Sequence, residues 1–133
     1  MTQDLWLNLP VADLARSVAF YEALGFERNP GPGNSASSAS FVVGGKRVVL
    51  MLFTRQVFAG FVGAAIADTA LGSEVLISLG ANSQTEVDDF AKRALAGGGT
   101  VFREPGPPGG AMYGCGLCDP DGHRWNVLFM GGR

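Results

Sequence analysis

The chain has few of the residues from which most catalytic centres are assembled. It contains one histidine and two cysteines in 133 residues, and only 17% of its residues are charged. A single histidine, His123, gives no recognisable arrangement of serine, histidine and aspartate. The formal net charge is −2, and the adjacent basic residues form two isolated pairs, 46–47 and 92–93, which are too few to neutralise a run of phosphates. We therefore expect no nucleic-acid partner.

Long hydrophobic runs are also missing. No apolar stretch approaches the roughly 18 to 20 residues that a membrane span needs, and the first 14 residues lack a basic region followed by a long apolar one. Apolar residues still make up 47% of the chain, which suits a buried core. These features predict one cytoplasmic domain, residues 1–133, that does not bind a membrane.

The two cysteines and the histidine are interpreted as structural. Cys115 and Cys118 are three residues apart in a strand-like segment, so their side chains point to opposite faces and cannot easily bridge. A zinc site would need a second Cys/His pair, which the chain does not have. We expect two small buried thiols, and a His123 that lies in a turn and is hydrogen-bonded locally.

Apolar periodicity predicts two copies of one order of elements, strand-helix-strand-strand-strand. The first copy, module one, covers about residues 1–54, and a connector with one or two helical turns covers about 55–72. Within module one the predicted helix starts after Asp13 and stops at Gly25. Its predicted strands are 5–9, 26–28, 40–43 and 47–53.

Module two, about residues 73–133, repeats the order. Ser83 or Thr85 can cap its helix, and the glycines 97–99 can end it. The predicted strands are 74–79, 100–103, 112–118 and 124–130, with a loop at 104–110. Because each module has only about 60 residues, we expect the two sheets to pair and share a core, which gives an α+β fold.

Alternation along the predicted strands separates two faces. One face is almost purely apolar and should lie under the helices; its members are Leu5, Leu7, Leu9, Val48, Leu50, Leu52, Val75, Ile77, Leu79, Trp125, Val127 and Phe129. The opposite face is mixed and is the one that can line a cleft; its members are Trp6, Asn8, Arg47, Val49, Met51, Phe53, Glu74, Leu76, Ser78, Arg124, Asn126, Leu128 and Met130.

Three segments carry a resemblance to a known family. They are LPVADLARSVAFYEALGF (9–26), GGGTVFREP (97–105) and DPDGHRW (119–125). Together they resemble the vicinal oxygen chelate superfamily, which includes glyoxalase I, extradiol dioxygenases, fosfomycin-modifying enzymes and bleomycin resistance proteins. The chain is most similar to small bacterial glyoxalase-related proteins. The resemblance implies two βαβββ modules that pair into a curved mixed sheet with a cleft, and a homodimer, for which the apolar stretch 57–66 offers a surface.

The resemblance also locates the positions of a metal site. In metal-using members the ligands come from four strand positions that face the cleft, and these fall at Trp6, near Met51, at Glu74 and at Asn126. An indole cannot ligate a metal, and an amide where a glutamate is expected removes a full charge. We therefore expect no metal cofactor. A metal-dependent lyase or dioxygenase of the same superfamily stays an alternative.

Two interpretations of function stay open. In the first, the protein is an enzyme in which Glu74 acts as general base on a small substrate while Asn8 and Asn126 stabilise an oxyanion. In the second, it is a binding protein that holds a flat or cationic ligand, with Glu74 as counter-charge. Alternatively, Glu74 pairs with Arg47 or Arg124 and is structural. The ligand-binding residues predicted for the cleft are Trp6, Asn8, Met51, Phe53, Tyr113, Arg124 and Asn126, and the loops 31–38 and 104–114 should border it.

Overall fold

The computed structural model describes residues 2–109 and 112–131. Contacts divide the chain into two compact units, Met1–Asp68 and Thr69–Arg133. Each unit contains one four-stranded mixed sheet and the helices that pack on it. The predicted α+β class and the repeated βαβββ order are confirmed.

The first unit holds two helices and four strands. They are β1 (Trp6–Val11), α1 (Leu14–Leu24), β2 (Glu27–Arg28), β3 (Ser38–Val43), β4 (Val48–Thr54) and α2 (Arg55–Val62). The strand order is β1-β4-β3-β2, with β1 parallel to β4. α1 begins and ends where the sequence predicts. The Asp13 side chain accepts a hydrogen bond from the Arg16 backbone N–H, and Gly25 takes a left-handed conformation with φ of 98°.

The core of the first unit lies between α1 and one face of its sheet. Its fully buried side chains include Phe20 and Tyr21 from the helix and Leu50 and Leu52 from β4, all with no exposed surface. Leu50 and Leu52 belong to the row that was predicted to face a helix. Burying several such side chains at roughly 1.5–3 kcal/mol each is the main stabilisation of this layer.

The second unit repeats the arrangement with a single helix. Its elements are β5 (Leu76–Gly80), α3 (Gln84–Ala96), β6 (Thr100–Gly109), β7 (Met112–Cys118) and β8 (Arg124–Met130), with strand order β5-β8-β7-β6. Ser83 caps α3 by accepting a hydrogen bond from the Glu86 backbone N–H. Fully buried residues of β7 and β8 pack with those of α3: Val87, Ala94, Cys115, Leu117, Trp125 and Val127.

Two predicted boundaries in the second unit are wrong. β5 begins at Leu76, not at Glu74, because Leu76 pairs with Arg124, the first residue of β8, and earlier residues find no strand beside them. β6 continues through the proline-rich segment predicted to be a loop, up to Gly109; Gly110 and Ala111 lie outside the described residues. The prolines are tolerated because β6 is an edge strand and its pairing with β7 shifts register three times.

The residues interpreted as structural are placed as expected. Cys115 is fully buried, Cys118 is 9% exposed, and both are free thiols. His123 lies in the turn before β8, where its backbone N–H donates to the Asp119 carboxylate at 2.8 Å and its carbonyl accepts from the Asp119 N–H. No helix in the described parts of the chain is long and apolar enough to cross a bilayer.

Candidate functional site

The first unit contains a pocket of about 540 Å³ on the side of its sheet away from α1. Trp6 and Asn8 of β1 and Phe53 of β4 form its floor, because alternation places them on the same face of neighbouring strands. α2 follows β4 without a loop and folds beside this face. From α2 come the remaining lining residues, Phe58, Phe61 and Val62.

Aromatic rings dominate this pocket. The rings of Phe53 and Phe61 meet edge to face, with centroids 5.2 Å apart. Trp6 is 63% exposed and Phe61 is 74% exposed, which is unusual for side chains of this size. Apolar side chains that are exposed in a cluster of this kind commonly mark a site that binds a ligand or another protein.

Asn8 is the one amide among the lining residues, and none of them is ionisable. Within the described residues, its side chain has no hydrogen-bond partner. It can donate through its amide N–H groups and accept through its carbonyl oxygen. The Asn8 amide and the indole N–H of Trp6 are the polar groups of the lining side chains that can orient a ligand in the pocket.

Met51 of β4 is the strand partner of Asn8 but is not one of the residues that line this pocket. Its side chain is covered by the loop 31–37, since a Cβ added at Gly33 would lie 3.5 Å from the Met51 methyl group. Asn34 fixes the loop by accepting a hydrogen bond from the Ser40 backbone N–H at 3.0 Å. The loop therefore lies over the sheet at Met51, and Met51 does not line the pocket.

The second unit presents a polar row on the face of its sheet opposite α3. Asn126 of β8 is 8% exposed, and its carbonyl oxygen accepts a hydrogen bond from the guanidinium of Arg103 on β6. On its other side the Asn126 amide donates to the Ser78 hydroxyl of β5 at 3.4 Å. The strand positions explain the row: Ser78 pairs with Asn126, Asn126 with Gly116, and Gly116 with Arg103.

A β-bulge brings Arg103 to this face. The register shifts between Val101 and Arg103, so that Phe102 and Arg103 together oppose one residue of β7. The Phe102 ring covers Gly116, at which a Cβ would overlap the ring. Arg124 stacks over the same ring with its guanidinium carbon 4.4 Å from the centroid, and Arg103 lies 5.9 Å from it.

Glu74 is placed differently from the prediction. It lies in a bend before β5 and is exposed, so it is not part of a strand and does not share a face of the sheet with Asn126. In the described parts of the chain it forms no ion pair with Arg124. Arg47 is paired instead with Glu27, at 3.5 Å and with both side chains largely exposed. A role for Glu74 as general base or counter-charge stays a prediction.

The placement of Tyr113 corrects another prediction. Tyr113 alternates with Gly114 on β7 and faces α3, where its hydroxyl donates to the Asp88 carboxylate at 2.6 Å. This hydrogen bond raises the pKa of Tyr113. Cys115 faces α3 as well, and burial raises the pKa of its thiol to about 11, against a smaller opposing effect of Arg103. Neither side chain therefore lies on the face of the sheet opposite α3, where Asn126 lies.

A divalent metal, which the resemblance implies for related enzymes, does not fit the donors found here. The carbonyl oxygen of Asn126 already accepts from the Arg103 guanidinium, and that positive charge would repel a metal ion bound at the same oxygen. The indole of Trp6 can only donate. Within residues 2–109 and 112–131 no three histidine, cysteine, aspartate or glutamate side chains cluster as a metal site.

The sequence prediction missed Phe58, Phe61, Phe102 and Arg103. Phe58 and Phe61 were assigned to the connector. The available signal was the helical spacing of Phe58, Phe61 and Val62 directly after a strand. Arg103 is in a predicted strand, but the bulge that brings Phe102 and Arg103 opposite a single β7 residue has no marker in the sequence.

The fold defines a class of protein, the α+β proteins built from two βαβββ modules. Residues 3–44 match the family model for bleomycin resistance protein-like N-terminal regions. A hypothetical protein of S. aureus shares 33% identity over 97% of this chain and 94% of its own, with a TM-score of 0.83. The chain belongs to the glyoxalase/bleomycin resistance protein/dioxygenase family.

Other solved structures agree with this membership. A glyoxalase-related enzyme from Fulvimarina pelagi is 26% identical, with 97% of this chain and 88% of that chain covered and a TM-score of 0.79. A lactoylglutathione lyase from Agrobacterium tumefaciens has a TM-score of 0.65 over 97% and 96% of the two chains, but at 24% identity it supports the fold alone. No protein with a curated function matches the chain.

Proposed function

We propose that the chain is a binding protein of this family that works without a metal and holds a small, flat, largely apolar molecule in the pocket of the first unit. One observation carries the proposal. About 540 Å³ of space is lined by four aromatic rings, one aliphatic side chain and one amide. Ligand pockets are typically a few hundred Å³ in volume, mostly apolar, with few polar groups that fix orientation.

The lining favours binding over catalysis. General acid–base chemistry needs a titratable group within hydrogen-bond reach of the reacting atom, and none of the lining residues is titratable. Trp6 and Phe53 offer ring surfaces for stacking, and Asn8 offers one hydrogen-bonding group. The expected ligand is therefore a neutral aromatic molecule with a single polar substituent.

A homodimer forms part of this proposal. Large apolar side chains are exposed at the pocket and beside it, among them the lining residues Phe61 at 74% and Val62 at 51%, and Leu5 at 63%. A second copy of the chain would remove such surface from water and gain roughly 25 cal/mol for each Å² covered. Sedimentation velocity across a hundredfold range of protein concentration tests this, and a monomer at every concentration would contradict it.

Binding is tested with N-phenyl-1-naphthylamine, a neutral aromatic dye whose fluorescence rises in an apolar site. We expect saturable binding that weakens about tenfold in Trp6→Ala, because a stacking surface is lost. Leu95→Ala is the matched control, since Leu95 is 59% exposed, lies on α3 of the second unit and does not line the pocket. Equal affinity in the wild type and both variants would exclude the pocket as the site.

A further inference from the structure

No carboxylate among the described residues forms an ion pair with Arg103. The Arg103 side chain is partly buried. Among the described residues, its side chain donates one hydrogen bond, to the neutral amide of Asn126. Its Nε is buried and finds no acceptor among them. Removing a guanidinium from water costs free energy unless an opposite charge compensates, so the arrangement is incomplete as it stands.

A second cation lies next to the first. Arg124 stacks on the ring of Phe102, which is also within 6 Å of the Arg103 guanidinium carbon. Like Arg103, Arg124 forms no ion pair with any described carboxylate. Phe102, Arg103, Arg124 and Asn126 are called here the arginine ledge. Two unpaired cations on one ring repel each other, and an anion placed near them relieves this repulsion.

The geometry points to a binding site for an oxyanion, a carboxylate or phosphate group of a small molecule, on the arginine ledge of the second unit. Arginine presents several N–H groups in a planar fork that matches the oxygens of these groups. The Asn126 amide and Ser78 hydroxyl lie in the same row, so additional polar groups of the ligand find partners there. Asn126, the one ledge position at which the resemblance implies a metal ligand, is bonded here to a cation of the chain itself.

This site differs in chemistry from the aromatic pocket of the first unit, and it is tested separately from it. We would follow side-chain N–H signals of isotope-labelled protein by NMR while adding sodium benzoate, benzamide, sodium phosphate or sodium chloride. Benzoate and benzamide have nearly the same shape and differ in charge. Sodium chloride controls for ionic strength.

We expect benzoate or phosphate to shift the signals of the Arg103 Nε–H and the Asn126 amide in a saturable way, with benzamide and chloride producing no saturable change. Arg124→Gln should weaken binding of the oxyanion about tenfold, because one charge-assisted contact is lost. Lys92→Gln is the matched control, as it removes an exposed positive charge on α3 of the same unit. Arg124→Gln is preferred to an Arg103 variant because Arg103 also supports Asn126.

Several outcomes would overturn the inference. They are equal shifts with benzoate and benzamide, no shift of Arg103 and Asn126 with either oxyanion, or equal weakening by the Arg124 and Lys92 substitutions. A protein that binds the neutral dye through Trp6 but fails these tests keeps the proposed function and loses the arginine ledge. A protein that binds benzoate at Arg103 but not the dye gives the reverse result.

Discussion

The guanidinium of Arg103 donates a hydrogen bond to the carbonyl oxygen of Asn126 on the face of the second sheet opposite α3. The relationship explains why an amide is suitable at position 126. An amide presents an acceptor to Arg103 and a donor to Ser78 at the same time. The side chain is 8% exposed, so both of its hydrogen-bonding ends need partners within the protein.

The first prediction concerns this row of hydrogen bonds. Asn126→Ala should lower the free energy of unfolding by about 1–3 kcal/mol, because it leaves a partly buried guanidinium without its acceptor. Ser78→Ala should cost less than about 1 kcal/mol, since the bond it loses is 3.4 Å long and its hydroxyl is exposed. Urea unfolding measures both. Equal losses would mean that Arg103 does not depend on Asn126.

A second prediction concerns the small residue under the Phe102 ring. Gly116→Ala places a Cβ where the ring lies, so Phe102 must move and the arginine ledge must rearrange. We expect a loss of about 1–3 kcal/mol in unfolding free energy and weaker benzoate binding. Gly80→Ala is the control, because a Cβ there meets nothing within 4 Å on strand β5. Similar stability of the two variants would show that the ring is mobile.

The buried thiol of Cys115 predicts how stability depends on pH. Its pKa is raised from 9.0 to about 11, so the folded state favours the protonated thiol. The resulting stability is fully present below pH 9 and is lost as the pH rises through 11, for a total of roughly 2–3 kcal/mol.

Urea unfolding between pH 8 and 10.5 measures this dependence. Cys115→Ala should flatten the fall in stability with rising pH, because the variant has no thiol at this position to ionise. An unchanged slope in Cys115→Ala would assign the alkaline destabilisation to other groups.

Tyr113 provides a test of which face its side chain occupies. Tyr113→Phe should lower the free energy of unfolding, because the hydroxyl loses its hydrogen bond to Asp88 on α3. Asp88→Asn gives an independent measure of the same contact. Binding of the dye and of benzoate should be unchanged in Tyr113→Phe. A loss of ligand affinity with no loss of stability would return Tyr113 to the ligand site.

The last prediction separates binding from catalysis. Glu74 is exposed in a bend, so Glu74→Gln should change the unfolding free energy by no more than about 0.5 kcal/mol and the dye affinity by no more than about twofold. The same variant serves for turnover assays with small aldehydes and aromatics. Any substrate that is converted by the wild type and not by Glu74→Gln would establish the enzyme interpretation with Glu74 as base.

Local features of the sequence were sufficient for most of the fold. Asp13 and Ser83 were recognised as helix caps because their side chains satisfy backbone N–H groups that every helix start leaves free. Leu50, Leu52, Trp125 and Val127 were assigned to the buried face by alternation, and all four are fully buried. The same assignment is wrong for Leu5 and Val75, which are 63% and 60% exposed because β1 begins only at Trp6 and β5 only at Leu76. These signals depend only on neighbours along the chain.

Boundaries that depend on a partner strand were predicted less well. The apolar pattern at residues 74–79 favours a strand from its first residue, but a strand exists only where another backbone pairs with it, and β8 begins opposite Leu76. Prolines in 104–108 favour a loop, yet an edge position and shifted register accommodate them in β6.

The sequence by itself determined the order of strands, the ends of α1 and α3, the buried positions of β4 and β8, and the places of Trp6, Asn8, Phe53 and Asn126 on their strands. Period and capping act over only a few residues, which is why these features are local. Only the tertiary structure decided that α2 supplies rings to the pocket and that Arg103 is bound to Asn126. Both contacts join residues from separate elements. The direction of the α2 axis sets the first contact, and the β-bulge at Phe102 and Arg103 sets the second. Neither of those features is determined by local alternation.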